Sequence, residues 1–225
     1  MAALEATGPL TAEEVFDDIG PAYEVAFSGI PPQSASIEWI KSQLENRKPA
    51  KCLDIGCGTG RPVCSELAKI GHDVLGIDIS SAMIENAREK VPDAVFQKID
   101  VADYNPGPTI FDAISVMFSM IASVTQDQIR QNIQNIYDWL KPGGVFVFGT
   151  VPIPGNNLEI KWMGRPIVVS SLDAEETVLW IRKVGFEVVH HEVSTFTPNA
   201  VQAGICEEAD IWEETHLFVY ARKQL

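Results

Sequence analysis

A glycine-rich segment, LDIGCGTG over residues 53–60, constrains this sequence more than any other feature. An apolar run precedes the segment and a helical stretch follows it, which places the segment at a turn from a β-strand into an α-helix. Gly56 and Gly58 let the backbone turn sharply and approach a ligand without Cβ clashes. The following helix directs its free N–H groups to the same place. The segment therefore predicts a ligand-binding cradle at the carboxyl end of a strand.

From residue 50 onward, short β-rich runs alternate with helical stretches. This alternation is typical of an α/β fold with a mostly parallel sheet and helices on both faces. The predicted strands cover residues 50–55, 73–77, 94–99, 111–118, 144–150, 186–193 and 216–221. Helices are predicted over about 80–90 and 173–184, with an apolar helical stripe within 129–140. A loop of about 20 residues, 196–215, precedes the last strand, and loops of that length are often functional.

The residues ahead of the first strand supply further helical material. Helices are predicted over about 11–18 and 36–45. We assign residues 1–48 to an N-terminal helical cap and residues 49–225 to the main domain, and we expect one compact domain overall, because a chain of this length buries one substantial core. Gly20-Pro21 and Pro31-Pro32 are predicted hinges. The cap is therefore predicted to act as a lid, with Tyr23 as its contact to a bound ligand.

The net charge and hydropathy of the chain indicate which kinds of molecule it can bind. The chain carries 17 Lys and Arg against 31 Asp and Glu, a formal net charge of −14, which repels a nucleic-acid backbone. Its apolar runs are far shorter than the roughly 20 residues that span a bilayer, and the N-terminus lacks the pattern of a signal peptide. Four cysteines without a CxxC pair are expected to be reduced thiols rather than metal ligands. We expect a cytoplasmic protein with a small-molecule substrate, no nucleic-acid or membrane partner and no metal.

The spacing of the glycines bears on which nucleotide-like ligand the cradle binds. Gly56, Gly58 and Gly60 stand at alternate positions, whereas a dinucleotide-binding turn has the pattern GxGxxG and would need glycine at Arg61. The spacing fits a pyrophosphate-binding loop poorly. An NAD-dependent enzyme is therefore an alternative rather than the first interpretation.

Three carboxylates at strand ends define the ligand further. Asp78 closes the second predicted strand, where an acid accepts hydrogen bonds from both hydroxyls of a ribose. Asp100 ends the third predicted strand, where its carboxylate can accept from an adenine amino group. Asp54 precedes the first glycine by two residues and is placed to meet the amino group of an amino acid. Adenine, ribose and a zwitterionic tail together describe S-adenosylmethionine.

In their order and approximate spacing these segments resemble the class I S-adenosylmethionine-dependent methyltransferases, over about residues 50–223. The resemblance rests on LDIGCGTG, Asp78, the Asp100 turn, FDAISVMFSM at 111–120 and LKPGG at 140–144. It implies a Rossmann-like, seven-stranded, mostly parallel sheet with strand order 3-2-1-4-5-7-6, in which the last inserted strand is antiparallel. It also implies S-adenosylmethionine as the cofactor, with S-adenosylhomocysteine as its product.

The resemblance also assigns roles by position. Asp54 and the glycines would hold the methionine end, and residues after the second and third strands the ribose and adenine. The end of the fourth strand would form the floor that faces the methyl acceptor. Together with Tyr23 of the cap, the predicted cofactor-binding residues are Asp54, Gly56, Gly58, Gly60, Asp78, Ile79, Met83, Asp100, Val101, Met117 and Phe118.

The acceptor side is less determined by the sequence. No [ND]PP[YF] segment follows the fourth strand, which disfavours amino groups of nucleic acids or proteins, and no catechol-type metal constellation is visible. We expect in-line transfer to a hydroxyl or carboxyl oxygen of a small metabolite, with Ser119 and His191 as candidate catalytic residues. Phe27, Trp162 and Trp212 are the predicted substrate pocket. A catalytically silent partner subunit with this fold is a second alternative.

Overall fold

The computed structural model describes residues 8–225. The strands in this part of the chain are β1 (Lys51–Ile55), β2 (Asp73–Asp78), β3 (Val95–Lys98), β4 (Phe111–Met117), β5 (Leu140–Thr150), β6 (Gly155–Trp162), β7 (Arg165–Ser171), β8 (Phe186–Phe196) and β9 (Glu214–Lys223). The α-helices are α1 (Ala12–Ile19), α2 (Ala22–Ala26), α3 (Pro31–Leu44), α4 (Val63–Lys69), α5 (Ser81–Lys90), α6 (Gln126–Trp139) and α7 (Ala174–Val184), and Glu208–Asp210 form a short 3-10 helix. Within residues 8–225, no helix combines the length and apolar character needed to cross a bilayer.

The main sheet has seven strands in the order β3-β2-β1-β4-β5-β9-β8. Strands β1 to β5 all run parallel to one another. Strand β9 lies between β5 and β8 and is antiparallel to both. This confirms the predicted fold class and strand order. The sequence analysis did not predict the hairpin β6–β7, which forms a separate two-stranded sheet within the stretch it left unassigned after β5.

Helices cover both faces of the main sheet. Every residue of β4 is buried, as expected for a central parallel strand. On one face, the α6 residues Ile129, Ile133 and Ile136 join an apolar cluster with the strands. On the other face, Ile37 and Ile40 of α3 do the same. Because the helices bury the faces, the carboxyl ends of the parallel strands are the edge at which side chains remain free to bind a ligand.

The cap packs across this carboxyl edge through polar contacts. The carboxylate of Asp17 accepts a hydrogen bond of 2.6 Å from the Ser80 hydroxyl at the start of α5. Glu24 accepts hydrogen bonds from the Thr59 hydroxyl at 2.9 Å and from the Lys90 ammonium group at 3.0 Å. Two helices of the cap are thereby joined to the turns that follow β1 and β2.

Two features of the cap differ from the sequence analysis. Helix α3 begins at Pro31, five residues before the predicted start, because proline is well suited to the first turn of a helix. The Pro31-Pro32 pair therefore opens a helix and is not a free hinge. Residues 1–7 of the assigned cap lie outside the described residues. The division at residue 48 stays a prediction.

Candidate functional site

Three adjoining cavities lie along the carboxyl ends of β1, β2 and β4. The loop cavity, about 560 Å³, is lined by α2 and by the turn after β1. The strand-end cavity, about 300 Å³, is lined by the residues that follow β2, β3 and β4. The aromatic cavity, about 70 Å³, lies between the cap, the β6–β7 hairpin and the start of β9. Tyr23 and Phe118 line all three, so these two side chains stand where the cavities meet.

The three glycines of the turn after β1 occupy their positions for different structural reasons. A Cβ on Gly56 would lie 1.9 Å from the Ser119 Cβ, so the close approach of the β4 end requires glycine there. Gly58 has φ +53, and the one heavy atom within 4 Å of an added Cβ is the Met83 sulfur at 3.9 Å, so this position faces open space. Gly56 and Gly58 line both the loop and strand-end cavities.

Gly60 is required for the packing of the turn after β1, and its predicted role in the cofactor cradle stays a prediction. It lines none of the three cavities, and a Cβ there would approach the Phe96 ring to 2.8 Å and the Val91 side chain to 3.2 Å. Its φ is +74. Gly60 therefore allows the turn to pack against the residues around β3. The regular spacing of the glycines in the sequence did not distinguish a packing glycine from a cavity-lining one.

Asp54 is a buried carboxylate at the edge of the loop cavity. The Ser115 hydroxyl donates to it at 2.7 Å and the Cys64 thiol approaches it at 3.5 Å. Burial raises the pKa of Asp54 to about 7, although the hydrogen bond from Ser115 opposes the shift. A cationic group in the loop cavity would stabilise the ionised carboxylate, so Asp54 is suited to meet an ammonium group.

The Asp78 carboxylate, which is predicted to bind the ribose, also accepts two hydrogen bonds from the backbone. One carboxylate oxygen accepts from the Gly58 backbone N–H at 2.8 Å, and the other accepts from the Ser80 N–H at 2.9 Å. The side chain is 9% exposed and lines the strand-end cavity, and burial raises its pKa. A carboxylate has lone pairs beyond these two bonds. Asp78 therefore fixes the turn after β1 and still offers acceptors to a ligand.

The third carboxylate lies at the far end of the strand-end cavity. β3 ends at Lys98, so Asp100 belongs to the following turn and not to the strand end, and its carboxylate accepts from the Ala102 N–H at 2.9 Å. Ile79 and Val101 line the same cavity, together with the buried Met83. The structure thus brings an acid and an apolar surface together at one end of the site, as recognition of a flat heterocycle requires.

The end of β4 holds the residues where the cavities meet. Phe118 has φ +61, a conformation that is uncommon for a residue with a large side chain. Its N–H donates to the Gly149 carbonyl at 2.8 Å, and Met117 lines the cavities beside it. The Ser119 hydroxyl donates to the Ile55 carbonyl at 2.8 Å and so joins the ends of β4 and β1. A catalytic role for Ser119 stays a prediction.

The aromatic cavity collects the residues predicted as a substrate pocket. Its rings are those of Phe16, Tyr23, Phe27, Phe118, Trp162 and Trp212. Tyr23 stacks on Phe27 with ring centroids 4.4 Å apart, and Phe27 stacks on Trp162 at 6.2 Å. Burial, and then the charges of Glu214 and Asp78, raise the pKa of Tyr23, so its hydroxyl stays neutral at ordinary pH.

Two residues at the start of β9, Glu214 and His216, were not among the predicted site residues. Glu214 lines the aromatic cavity, and His216 is fully buried beneath Phe118, with ring centroids 4.5 Å apart. The sequence analysis started this strand at His216 and so left Glu214 in a loop. A strand that starts two residues earlier would have put both residues on one face, since side chains alternate along a strand.

His191 is placed away from the site. It is exposed on the edge strand β8 and pairs with Val219, whose side chain joins the apolar cluster on the opposite face of the sheet. A register irregularity between Val188 and His190 leaves His190, not His191, on the face of Tyr220. His191 lines none of the three cavities, so its position gives the predicted catalytic role no support, and that role stays a prediction.

The carboxylates along the two cavities fit S-adenosylmethionine better than a dinucleotide. Asp54, Asp78 and Asp100 follow one another along the loop and strand-end cavities. The first two flank the turn of Gly56 and Gly58, where a dinucleotide would place its pyrophosphate, and like charges repel. Acids there instead match an ammonium group and ribose hydroxyls. Within residues 8–225, no group of three or more His, Cys, Asp or Glu side chains is arranged to hold a metal ion.

Comparisons with known proteins agree with this geometry. Residues 52–144 match the family model of a methyltransferase domain. An uncharacterized methyltransferase of Oceanobacillus iheyensis is 29% identical over 142 residues, which cover 60% of this chain. The chain spans 65% of the length of that relative.

Two solved structures share the fold. An S-adenosylmethionine-dependent methyltransferase from Methanosarcina mazei has a TM-score of 0.63 at 19% identity, covering 81% of this chain and 97% of that one. The [4+2]-cyclase SpnF has a TM-score of 0.66 at 17% identity, covering 97% of each chain. Residues 52–144 therefore match a methyltransferase domain, and the chain is similar in sequence to a methyltransferase and has the strand order that the resemblance implied.

Proposed function

We propose that this protein transfers the methyl group of S-adenosylmethionine to a small-molecule metabolite. The observation that carries the proposal is the meeting of the three cavities at Tyr23 and Phe118. The loop and strand-end cavities supply carboxylates for the methionine, ribose and adenine parts of the cofactor. The aromatic cavity opens from the same point and supplies a separate, apolar space for the acceptor.

Each element of the site has a part in this reaction. Asp54 meets the ammonium group, Asp78 accepts from the ribose hydroxyls, and Asp100 with the Val101 backbone binds the adenine. The cofactor supplies an activated methyl group on a sulfonium. The protein therefore contributes mainly by holding the acceptor in line with the carbon–sulfur bond and by excluding water. Tyr23 and Phe118 are placed to enclose the methyl group.

A small-molecule acceptor is supported by charge and by the shape of the aromatic cavity. The formal net charge of −14 opposes binding of nucleic acid. The cavity is small and apolar, with rings on several sides. The sequence analysis favoured an oxygen acceptor because no [ND]PP[YF] segment is present. That absence disfavours amino groups of nucleic acids and proteins only, and it does not separate oxygen from an amine of a small molecule.

Turnover tests the proposal. The protein is incubated with S-adenosylmethionine carrying a labelled methyl group and with fractions of a small-molecule extract. We expect label in a small molecule and formation of S-adenosylhomocysteine, and no label with Asp78→Asn. Binding of S-adenosylhomocysteine without any transfer would support the silent-subunit alternative. Turnover itself has to be measured, because a protein with the same fold is named as a cyclase and the fold alone does not determine the reaction.

A pH profile tests the role of Asp54. Because burial raises its pKa to about 7, the free protein holds this carboxyl protonated below that pH. An ammonium group favours the ionised form, so binding releases a proton at low pH. The affinity for S-adenosylhomocysteine is expected to rise up to about tenfold per pH unit between pH 5 and 6 and to level off above 7. Asp54→Asn should flatten this profile in calorimetric titrations, and an unchanged slope would exclude Asp54 as its source.

Hydrogen exchange tests the cap as a lid. The hydrogen bonds from Ser80 to Asp17 and from Thr59 to Glu24 join the cap to the turns that hold the cofactor. We expect backbone amides of residues 11–32 to exchange severalfold more slowly with S-adenosylhomocysteine bound than in the free protein, because closure excludes water. Exchange in α6 serves as the control and should not change. Equal protection of the cap with and without ligand would identify it as a fixed structural element.

A further inference from the structure

The composition of the aromatic cavity is more specific than an apolar pocket requires. Six aromatic rings line it, and among its described lining residues Glu214 is the only one with a charged side chain. The face of an aromatic ring carries negative electrostatic potential and attracts cations. Several aromatic rings together with one carboxylate therefore favour a cation beside the predicted position of the methyl group.

Glu214 is held in this cavity by two neighbours. The side chain is 7% exposed, and its Oε1 accepts from the Trp162 indole N–H at 2.9 Å. Its Oε2 lies 3.2 Å from the His216 Nε2. These contacts orient both carboxylate oxygens, while each oxygen retains a further lone pair for a ligand.

The hydrogen bonding of His216 bears on whether this residue is a cationic partner for Glu214. His216 is fully buried, and its Nδ1 has no hydrogen-bond partner among the described residues. A doubly protonated ring would bury an N–H donor without an acceptor, which is costly, so the neutral ring that donates from Nε2 to Glu214 is favoured. A neutral His216 gives the Glu214 carboxylate no cationic partner, and the other described residues that line the cavity carry no charge. A cation bound in the cavity would supply that partner.

We infer that the aromatic cavity binds the acceptor through a cationic nitrogen, so that the substrate is a small amine. This inference rests on the proposed function for the methyl donor and names the acceptor class for the same site. Glu214 supplies the opposite charge, and the aromatic rings that line the cavity contact the ammonium group and its substituents. Oxygen acceptors are neutral or anionic and would bring no cationic partner to Glu214.

The same arrangement provides the proton acceptor that an amine needs. An ammonium nitrogen has no free lone pair, so one N–H proton passes to the Glu214 carboxylate before transfer. The nitrogen then forms its bond to the methyl carbon as the carbon–sulfur bond breaks, and the electron pair of that bond stays on the sulfur. The methylated nitrogen carries the positive charge, and the sulfur becomes a neutral thioether.

The inference is tested with a cation and a neutral molecule of similar size. Saturation-transfer NMR measures the binding of tetramethylammonium and of tert-butanol to the protein. Each probe is measured once with an excess of S-adenosylhomocysteine present and once without it. We expect tetramethylammonium to bind at least tenfold more tightly than tert-butanol. Glu214→Gln should remove that preference, and Glu213→Gln, at the exposed neighbouring position, should retain it.

A second variant covers the event that Glu214→Gln does not fold. Trp212 is 43% exposed, so Trp212→Leu removes a ring face without opening the core. It should weaken tetramethylammonium binding several-fold more than tert-butanol binding. Equal affinities of wild-type protein for the two probes, or an unchanged cation preference in both variants, would overturn the inference and favour a neutral acceptor.

The test separates this inference from the proposed function. Glu214 lines only the aromatic cavity, so Glu214→Gln should still be stabilised by S-adenosylhomocysteine in a thermal melt. Stabilisation of the wild-type protein without cation selectivity would retain the methyltransferase proposal and reject the amine. The absence of stabilisation of the wild-type protein would reject the methyltransferase proposal itself.

Discussion

Asp78→Asn is expected to weaken the binding of S-adenosylhomocysteine by at least about 100-fold. The charged acceptor contributes about 1.5–3 kcal/mol to each hydrogen bond from a ribose hydroxyl, and a factor of ten in affinity corresponds to about 1.4 kcal/mol. The amide also places an NH₂ group against one of the two backbone donors, because the Gly58 and Ser80 N–H groups donate to different oxygens of the carboxylate. Isothermal titration calorimetry measures the loss.

Asp73→Asn is the matched control for this variant. Asp73 stands at the opposite end of the same strand, is exposed and lines none of the three cavities. It should bind S-adenosylhomocysteine with wild-type affinity. Asp78→Asn should also lower the melting temperature modestly, because the turn after β1 loses one of its acceptors. A folded Asp78→Asn protein with wild-type affinity would show that the ribose is bound elsewhere.

Gly58→Val is expected to abolish measurable binding of S-adenosylhomocysteine while the protein still folds. An added Cβ at this position meets only the Met83 sulfur at 3.9 Å, so the new side chain enters the open cavity and not the core. There it would occupy the space in which we propose that the methionine end of the cofactor binds. The positive φ of +53 adds a backbone cost of about 1–2 kcal/mol, which a thermal melt will register.

Gly71→Val separates backbone strain from filling of the cavity. Gly71 has φ +85, and no atom lies within 4 Å of an added Cβ. It lines none of the three cavities. Both variants should therefore lose similar stability, and only Gly58→Val should lose binding. Wild-type affinity in Gly58→Val would contradict the position of the methionine end, whereas loss of binding in both variants would point to a general effect of strain.

The fold was predictable because its signals are local. The turn LDIGCGTG marks one strand end, and the alternation of apolar runs with helical stretches marks the parallel sheet. Asp78 was placed at the end of β2 because it closes an apolar run of strand length. Such features depend on a few neighbouring residues, and tertiary contacts did not overrule them.

The acceptor side was less predictable because it depends on contacts between distant segments. Phe16, Trp162 and Glu214 belong to the cap, the hairpin and β9, and no local pattern relates them. The irregularity near His190 decides which histidine of β8 lies on the face of Tyr220, and a bulge has no strong sequence signal. Gly60 was assigned to the cradle from the glycine pattern alone, and that pattern does not show its packing against Phe96, which is remote in sequence.

The central claim is that the cavities at the carboxyl edge of the sheet bind S-adenosylmethionine and not a dinucleotide. The most direct measurement is an isothermal titration of the wild-type protein with S-adenosylhomocysteine, repeated with NAD. We expect one molecule of S-adenosylhomocysteine per chain, binding that Asp78→Asn and Gly58→Val both lose, and no heat from NAD. Binding of NAD without binding of S-adenosylhomocysteine would contradict the account.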